Sequence, residues 1–352
     1  MLLFLADYPD EVTLLEGMAQ RVVAIDKLYR TEKRIYLFVS YRKFFKRQIL
    51  PIDDLATHYR CNLFLHFFFI LKLFRQSWLL YFHSIMNVLP VLPFLIFIRK
   101  GQRVVLDAHG LVAEEQYLAG TRWKSSLYEL SERRIFKIAD VVITVTNAME
   151  RYYLKKHPQA TVHYITWTNL PSHLKGVNYQ PIEPTAGDEI RVVYSGNTQM
   201  WQNVGLMVEV IKKNLSPRIR YDLLTGQPDL MKQYLENAGI LGRPNIHVTT
   251  VAPNDLESYY KAAHYGFMMR GDEDVSRVSC PTKVIEYMYY GIVPIMKTLR
   301  IGDFEEMGCE CVLYDQFSEH MGPRKSQNNH RIIDGLLKSE HELFAQLQKV
   351  FR

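Results

Sequence analysis

The sequence of 352 residues predicts an α/β protein made of two domains in tandem. Three observations predict it. Short apolar runs alternate with amphipathic helical stretches from residue 2 to residue 167, the pattern of a parallel sheet covered on both faces. The alternation breaks at a polar stretch with several Pro and Gly residues and restarts at Ile190. The length also exceeds what one compact core of this class comfortably holds. The expected boundaries are 1–171 for the first domain, 172–188 for a linker and 189–330 for the second domain. Residues 331–352 form a closing amphipathic helix with room to pack back on the first domain.

In the first domain, Leu2–Leu5 reads as a strand, and a loop to Glu16 leads to a helix over about Met18–Tyr29 with Val22, Val23, Ile25 and Leu28 inward. Arg34–Val39 is a second strand. Next, Arg42, Lys43, Lys46 and Arg47 surround Tyr41, Phe44 and Phe45, an alternation of bases and aromatics that suits an anionic membrane surface. Two further strand–helix units are expected within 61–100. Arg103–Asp107 is a strand, Ser125–Ala139 a helix and Asp140–Val145 a strand. Asn147 is the expected cap of a helix running to Lys156, and Thr161–Trp167 is the last strand.

The second domain repeats the pattern. Strands are expected at Ile190–Tyr194, Arg220–Leu224, Asn245–Thr249 and Tyr265–Met269. Helices are expected at Val204–Lys213, Asp229–Ala238 and Pro253–Ala263, the last with Asn254 as a cap. The most informative stretch is Ser279–Lys297. Pro281 opens a helix whose apolar face is Val284, Ile285 and Met288, Gly291 stops it, and Ile292–Met296 is a strand. Thr282 and Lys283 sit in the first turn, and Glu286 lies one turn on, on the face of Thr282. A helix start with its exposed amides and dipole suits a diphosphate. A carboxylate about 6 Å further along suits two ribose hydroxyls. A lone Glu on such a helix is more often a surface charge, so it is the package that points to a sugar nucleotide.

Composition sets the outer limits. The chain's composition, 48% hydrophobic and 23% charged, is ordinary for a soluble globular protein. Its net charge of +6 is concentrated: residues 1–175 carry a net charge of about +9, and the rest about −3. Cys61, Cys280, Cys309 and Cys311 offer one C-x-C and no metal or disulfide framework, so reduced thiols are expected. Met1–Leu5 is too short for the apolar part of a secretory signal, and Asp7, Asp10 and Glu11 follow at once. Residues 61–98 are the most hydrophobic, yet Lys72, Arg75, His83, Asn87 and two prolines interrupt them. Buried elements with one face toward lipid are expected there, not a membrane span. A cytoplasmic protein, peripheral on the inner face of the cell membrane, is the expectation; no nucleic-acid motif is present.

Four pieces of this sequence resemble the GT-B glycosyltransferases, and more narrowly glycosyltransferase family 4 (group 1) enzymes of bacterial surface polysaccharide synthesis. They are RVVLDAHGLVAEE (103–115), ERRIFKIADVVITVTNAM (132–149), VYSGN (193–197) and SCPTKVIEYMYYGIVPIM (279–296). The resemblance covers about residues 100–300. It implies two Rossmann-like domains facing each other across a cleft, and transfer of a sugar, with retention, from a nucleotide diphosphate sugar to a saccharide or lipid-linked acceptor. It implies that Thr282 and Lys283, with the amides of the helix start behind Pro281 on the donor side, hold the diphosphate, that Glu286 holds the ribose, and that Gly196 and Asn197 let backbone approach the donor. Arg270, Arg277 and Lys283 are the candidates for phosphate neutralisation. His109 is implied to orient a sugar hydroxyl, polarise the acceptor or act as a base. Glu114 and Glu115 are acceptor-side candidates. Neither a cofactor nor an essential metal is expected, since helix amides and basic side chains stabilise the leaving diphosphate in this class.

The sequence departs from the family in two places. Gln202 stands where the family commonly has a lysine. Val278 stands where the first glutamate of its E-x7-E pattern falls, with Asp272, Glu273 and Asp274 upstream as possible substitutes. These departures leave the identity of the sugar open. The alternative reading is a nucleotide-sugar 2-epimerase of the same two-domain fold, which would act on the donor without an acceptor; a third is a sugar-binding subunit without catalysis.

Overall fold

The computed structural model describes residues 1–10, 17–168, 170–182, 187, 189–252 and 255–351. The chain divides into two compact units, Met1–Asn169 with His341–Arg352, and Leu170–Glu340.

The first unit is built on an eight-stranded sheet. Its strands are β1 (Leu2–Leu5), β2 (Arg34–Ser40), β3 (Gln48–Asp53), β4 (Ala56–Asn62), β5 (Leu79–His83), β6 (Arg103–Ala108), β7 (Val141–Thr144) and β8 (His163–Thr166). Their order is β3-β4-β2-β1-β5-β6-β7-β8, parallel except for β3 against β4. Strands near the centre are buried on both faces, which is why β1 and β5 read as unbroken apolar runs without alternation. The helices are α1 (Gly17–Leu28), α2 (Phe67–Gln76), α3 (Val112–Leu118), α4 (Arg122–Ile135) and α5 (Asn147–Lys156).

Three expectations change here. Residues 48–62 form a β-hairpin where no strands were expected, with a register shift between Pro51 and Asp53. Residues 61–100 hold one helix and one full strand; after β5 the chain runs in 3-10 turns over Ile85–Asn87 and Leu89–Phe97. Pro90 and Pro93 cannot supply the amides of a continuous α-helix there. The cap of α5 is Thr146, whose hydroxyl accepts the Met149 amide at 3.0 Å, while Asn147 is already the first helical residue.

The second unit holds a six-stranded, wholly parallel sheet. Its strands are β9 (Ile190–Ser195), β10 (Ile219–Leu224), β11 (Ile246–Thr249), β12 (Tyr265–Met268), β13 (Val293–Met296) and β14 (Val312–Leu313), in the order β11-β10-β9-β12-β13-β14. Helices α6 (Val204–Lys213), α7 (Pro228–Asn237), α8 (Leu256–Ala262), α9 (Asp274–Arg277) and α10 (Thr282–Tyr289) belong to this unit, as does the part of α11 (Gln327–Phe351) before His341. The expected cap Asn254 lies outside the described residues. Part of the stretch expected as a linker is instead packed: Leu174 is buried with Tyr289 and Ile292, as is Leu170 just before the stretch, and the Tyr289 hydroxyl donates to the Val177 carbonyl at 2.7 Å.

Helix α10 is fixed at both ends. Pro281 precedes it, and Gly291 at φ +69° ends it by letting the Ile292 amide reach back to the Tyr287 carbonyl at 2.8 Å. Its inner face lies on β12, where Gly266 leaves room for the Tyr287 ring. A Cβ at Gly266 would come within 2.5–2.8 Å of that ring. Gly266→Ala is therefore expected to destabilise the second unit by about 1–3 kcal/mol through overpacking. Urea unfolding followed by circular dichroism checks this.

Candidate functional site

The site in the second unit forms where β9 ends and α10 begins. Gly196 follows β9 at φ +150°, a conformation that side chains other than glycine's rarely allow. A Cβ at Gly196 would sit 2.7 Å from Lys283 Nζ, so the end of the lysine occupies the space that a side chain there would take. Nζ lies 4.2 Å from the centre of the Tyr194 ring and donates to Gln202 Oε1 at 3.3 Å. Gln202, read from sequence as a missing lysine, thus receives a lysine from another element. Arg270, at the end of β12, bonds Ser279 Oγ at 3.1 Å and adds positive charge to Lys283's surroundings. Burial, helped by Arg270, lowers the Lys283 ammonium to about 7.

One turn along α10, Glu286 Oε2 accepts the Tyr260 hydroxyl at 3.0 Å, and its Oε1 lies 3.4 Å from His173 Nε2. Tyr260 also meets Ser195 Oγ at 2.7 Å, and the Ser195 amide donates to the Tyr287 hydroxyl at 3.2 Å. Strand β9, α8 and α10 are thereby tied together beneath the carboxylate. Burial raises the Glu286 carboxyl to about 7, against the pull of Tyr260 and Lys283. The Thr282 and Lys283 amides stand in the first turn, where no preceding helical carbonyl exists to bond them. Pro281 is the residue at the cap. The Asn197 carbonyl accepts the Tyr194 hydroxyl, and its amide donates to Gln199 Oε1 at 2.8 Å, so its side chain shapes the turn.

Not every expected residue joins this cluster. Arg277 is bound to Asp272 at 2.9 and 3.1 Å and to Asp274 at 3.3 Å, and Arg300 also holds Asp272. Those acids are thus engaged by arginines, and the Glu273 carboxylate folds over Gly271.

In the first unit, His109 follows β6, with Nε2 buried and without a hydrogen-bond partner. Below it, Asp107 accepts Arg21 Nε at 2.9 Å and Nη2 at 2.7 Å, and the Tyr81 hydroxyl at 2.9 Å. Arg21 from α1 also donates to the Trp167 carbonyl at 2.9 Å and lies over the Trp167 ring. Burial would raise the Asp107 carboxyl, but the charge of Arg21 and these bonds hold it well below the usual range. His109 is lowered to about 4, chiefly by burial, with Arg21 and His83 adding to it and Asp107 opposing. The His83 ring lies 6.2 Å from that of His109, and its Nδ1 is 3.4 Å from Asp107 without hydrogen-bond geometry.

His83, Asp107 and His109 are the one group among the described residues with the spacing of a metal site. Both oxygens of Asp107 are already taken by Arg21 and Tyr81, so a cation there would have to displace a buried guanidinium. Sequence reasoning missed Arg21, Tyr81 and His83 because α1 reads as amphipathic with Arg21 on its polar side. The acid in the apolar strand RVVLD was the available signal. Glu115 lies against Gly110, whereas Glu114 is held by Lys156 and by the Tyr152 hydroxyl at 2.6 Å, tying α3 to α5. In the basic loop, Phe45 and the four cations are exposed. Phe44, at φ +63°, is half-buried against Phe38 and Arg60. No described helix is long and apolar enough to cross a membrane.

Neither a protein-family model nor any curated protein matches the chain. Solved structures do. Sucrose-phosphate synthase from Thermosynechococcus elongatus superposes with a TM-score of 0.67 at 12% identity, over 94% of this chain and 92% of that one. HepE of Anabaena, in complex with UDP and glucose, gives 0.65 at 12% over 99% of both chains. An α,α-trehalose-phosphate synthase (UDP-forming) from Burkholderia vietnamiensis gives 0.65 at 10%, over 99% and 98%. The chain has their fold, two Rossmann-like domains of the GT-B class; at such identities the likeness is one of fold and does not single out family 4.

The Glu286 carboxyl is raised in the folded state, so its stabilising effect is complete below about 4.5 and is lost as pH rises through about 7. Glu286→Gln should match the parent at pH 4 and exceed it by on the order of 2 kcal/mol at pH 8.5. Urea unfolding at the two pH values measures the difference.

Proposed function

We propose that this protein is a glycosyltransferase that moves a sugar, with retention, from a nucleotide diphosphate sugar to a saccharide or lipid-linked acceptor in surface polysaccharide or glycolipid synthesis. The observation that carries the reading is Lys283 Nζ lodged against Gly196 at a helix start, with Glu286 one turn on. A diphosphate fits the first-turn amides of Thr282 and Lys283, with the Lys283 and Arg270 charges balancing the leaving group. Glu286, backed by Tyr260, is the ribose acceptor of hydrogen bonds. Arg277 serves by holding Asp272 and Asp274 away from these phosphates. Positive charge comes from side chains, so no metal or organic cofactor enters the scheme.

Of the three roles open to His109, this reading favours a neutral imidazole that bonds a sugar hydroxyl. A ring that protonates near 4 is a weak base, and its Nε2 is without a partner. A cavity of about 310 Å³ in the same unit, lined in part by Asp7, Arg60, His83 and Asn87, is the proposed acceptor space. Glu115 remains an acceptor candidate beside Gly110, while Glu114 acts through its bonds to α5. The cations Arg42, Lys43, Lys46 and Arg47 place the protein on an anionic cytoplasmic leaflet in this scheme.

UDP, GDP, dTDP and CDP sugars are the donors to screen, beginning with UDP, the nucleotide held by the HepE structure. At millimolar concentration one of them should raise the melting midpoint, and Glu286→Ala should abolish that rise. No shift with any of the four would overturn the donor site. Isomerisation of the donor sugar without an acceptor would favour the epimerase reading instead. Because Lys283 titrates near 7, diphosphate binding at pH 8 should take up protons. Calorimetry in two buffers of different ionisation heat should detect the uptake in the parent and lose it in Lys283→Met.

A further inference from the structure

Between Lys33 and Leu106 the sequence holds twelve Lys and Arg but only two acids, Asp53 and Asp54. This acid-poor region also bares several large apolar side chains. Helix α2 turns Ile70, Leu73 and Phe74 inward. At about 100° per residue, its opposite side carries Phe68, Lys72 and Arg75, with Phe64 and Leu65 just before the first turn. Phe64 is 70% exposed, Leu65 60% and Phe68 83%. A water-facing stripe would be polar along its whole length. This one is apolar over its first half and basic over its second.

The basic loop is joined to this stripe. Asn62 Nδ2 donates to the carbonyls of Tyr41 at 3.3 Å and Lys43 at 3.1 Å, and the Tyr41 ring lies 6.4 Å from that of Phe64. The Arg47 guanidinium covers the Phe69 ring at 4.1 Å. The Phe67 ring lies 4.7 Å from Phe94, on the 3-10 segment that leaves Ile96 80% exposed. Separate pieces of chain thus bring bare apolar side chains and unopposed cations onto one adjoining surface.

We propose that Phe64, Leu65 and Phe68 enter the hydrocarbon of an anionic bilayer, with Lys43, Arg47, Lys72 and Arg75 at its headgroups. The inference rests on the membrane-side reading above and narrows the lipid-facing part of 61–98 to the start of α2. Phe44 is half-buried and unavailable, and the loop's cations stay at the charged layer. The two kinds of contact respond differently to salt. Attraction of cations to lipid headgroups is screened over about 8–10 Å at moderate salt, whereas apolar insertion persists.

The test is sedimentation with vesicles of phosphatidylcholine and phosphatidylglycerol at 0.1 and 0.5 M salt. The parent should pellet at both. Phe64→Ser with Phe68→Ser should lower partitioning about tenfold or more at both salts. Serines at Arg42, Lys43, Lys46 and Arg47 should weaken binding chiefly at low salt. Emission added by Phe68→Trp should be quenched by lipids brominated on their acyl chains. Parent-like pelleting of the double serine variant, or unquenched Phe68→Trp emission, would overturn the proposal. So would a parent dimer in lipid-free solution that Phe68→Ser dissolves, since the face would then cover a second copy. A nucleotide-sugar melting shift that survives in the serine variants separates failure of this inference from failure of the donor site.

Discussion

The arrangement of the second unit depends on a lysine amine held where a glycine has no side chain. Lys283 Nζ fills the space beside the bare Gly196 at the end of β9, and α10 lies close against β12 because Gly266 is bare beneath Tyr287. The two glycines act at different points of one interface, one at the strand end and one within β12. What they bring together is a basic group that burial keeps from holding its proton firmly, next to an arginine that makes protonation harder still. Such a pair gains most from an anion. The site is therefore electrostatically incomplete by itself, and Glu286, raised toward neutrality by the same burial, does not complete it.

The first unit treats its buried charge in the opposite way. Arg21 and Asp107 close on each other, with Tyr81 and the Trp167 carbonyl filling remaining positions. A closed pair of this kind is costly to break and offers little to a passing ion. The histidines above it are kept neutral chiefly by their own burial; the Asp107 charge pulls the other way, and Arg21 offsets part of that pull. In the proposed scheme the contrast gives each unit a separate chemistry, neutral hydrogen bonding in one and anion attraction in the other.

Much of the second unit was legible because its cues are local. β9, α6 and α10 announce themselves through apolar spacing, Pro281 and Gly291, and Lys283 and Glu286 stand within a single turn of each other. The cues failed where the cause is distant or the surface is wet on both sides. The hairpin of β3 and β4 has an outer strand that is almost wholly exposed, so it shows no inward–outward alternation. Arg21 reads as an ordinary polar residue until β6, 86 residues away, supplies its carboxylate. Tyr260 and Tyr287 look like core aromatics in the sequence, and only packing reveals hydroxyls aimed at Glu286 and Ser195. Arg277 illustrates the converse, since proximity in sequence to α10 did not prevent capture by Asp272.

The outer strand β3 also bears on how the folded protein behaves among its neighbours. A parallel sheet that ended at β2 or β4 would present a straight row of amides and carbonyls to any extended peptide. Here the last strand runs antiparallel, carries Pro51 with no amide to offer, and slips register beside it. Strand addition at that edge forfeits a ladder bond and meets a kinked backbone. The hairpin thus works as a terminator: it lets a chain rich in β-branched and aromatic segments keep one sheet finite.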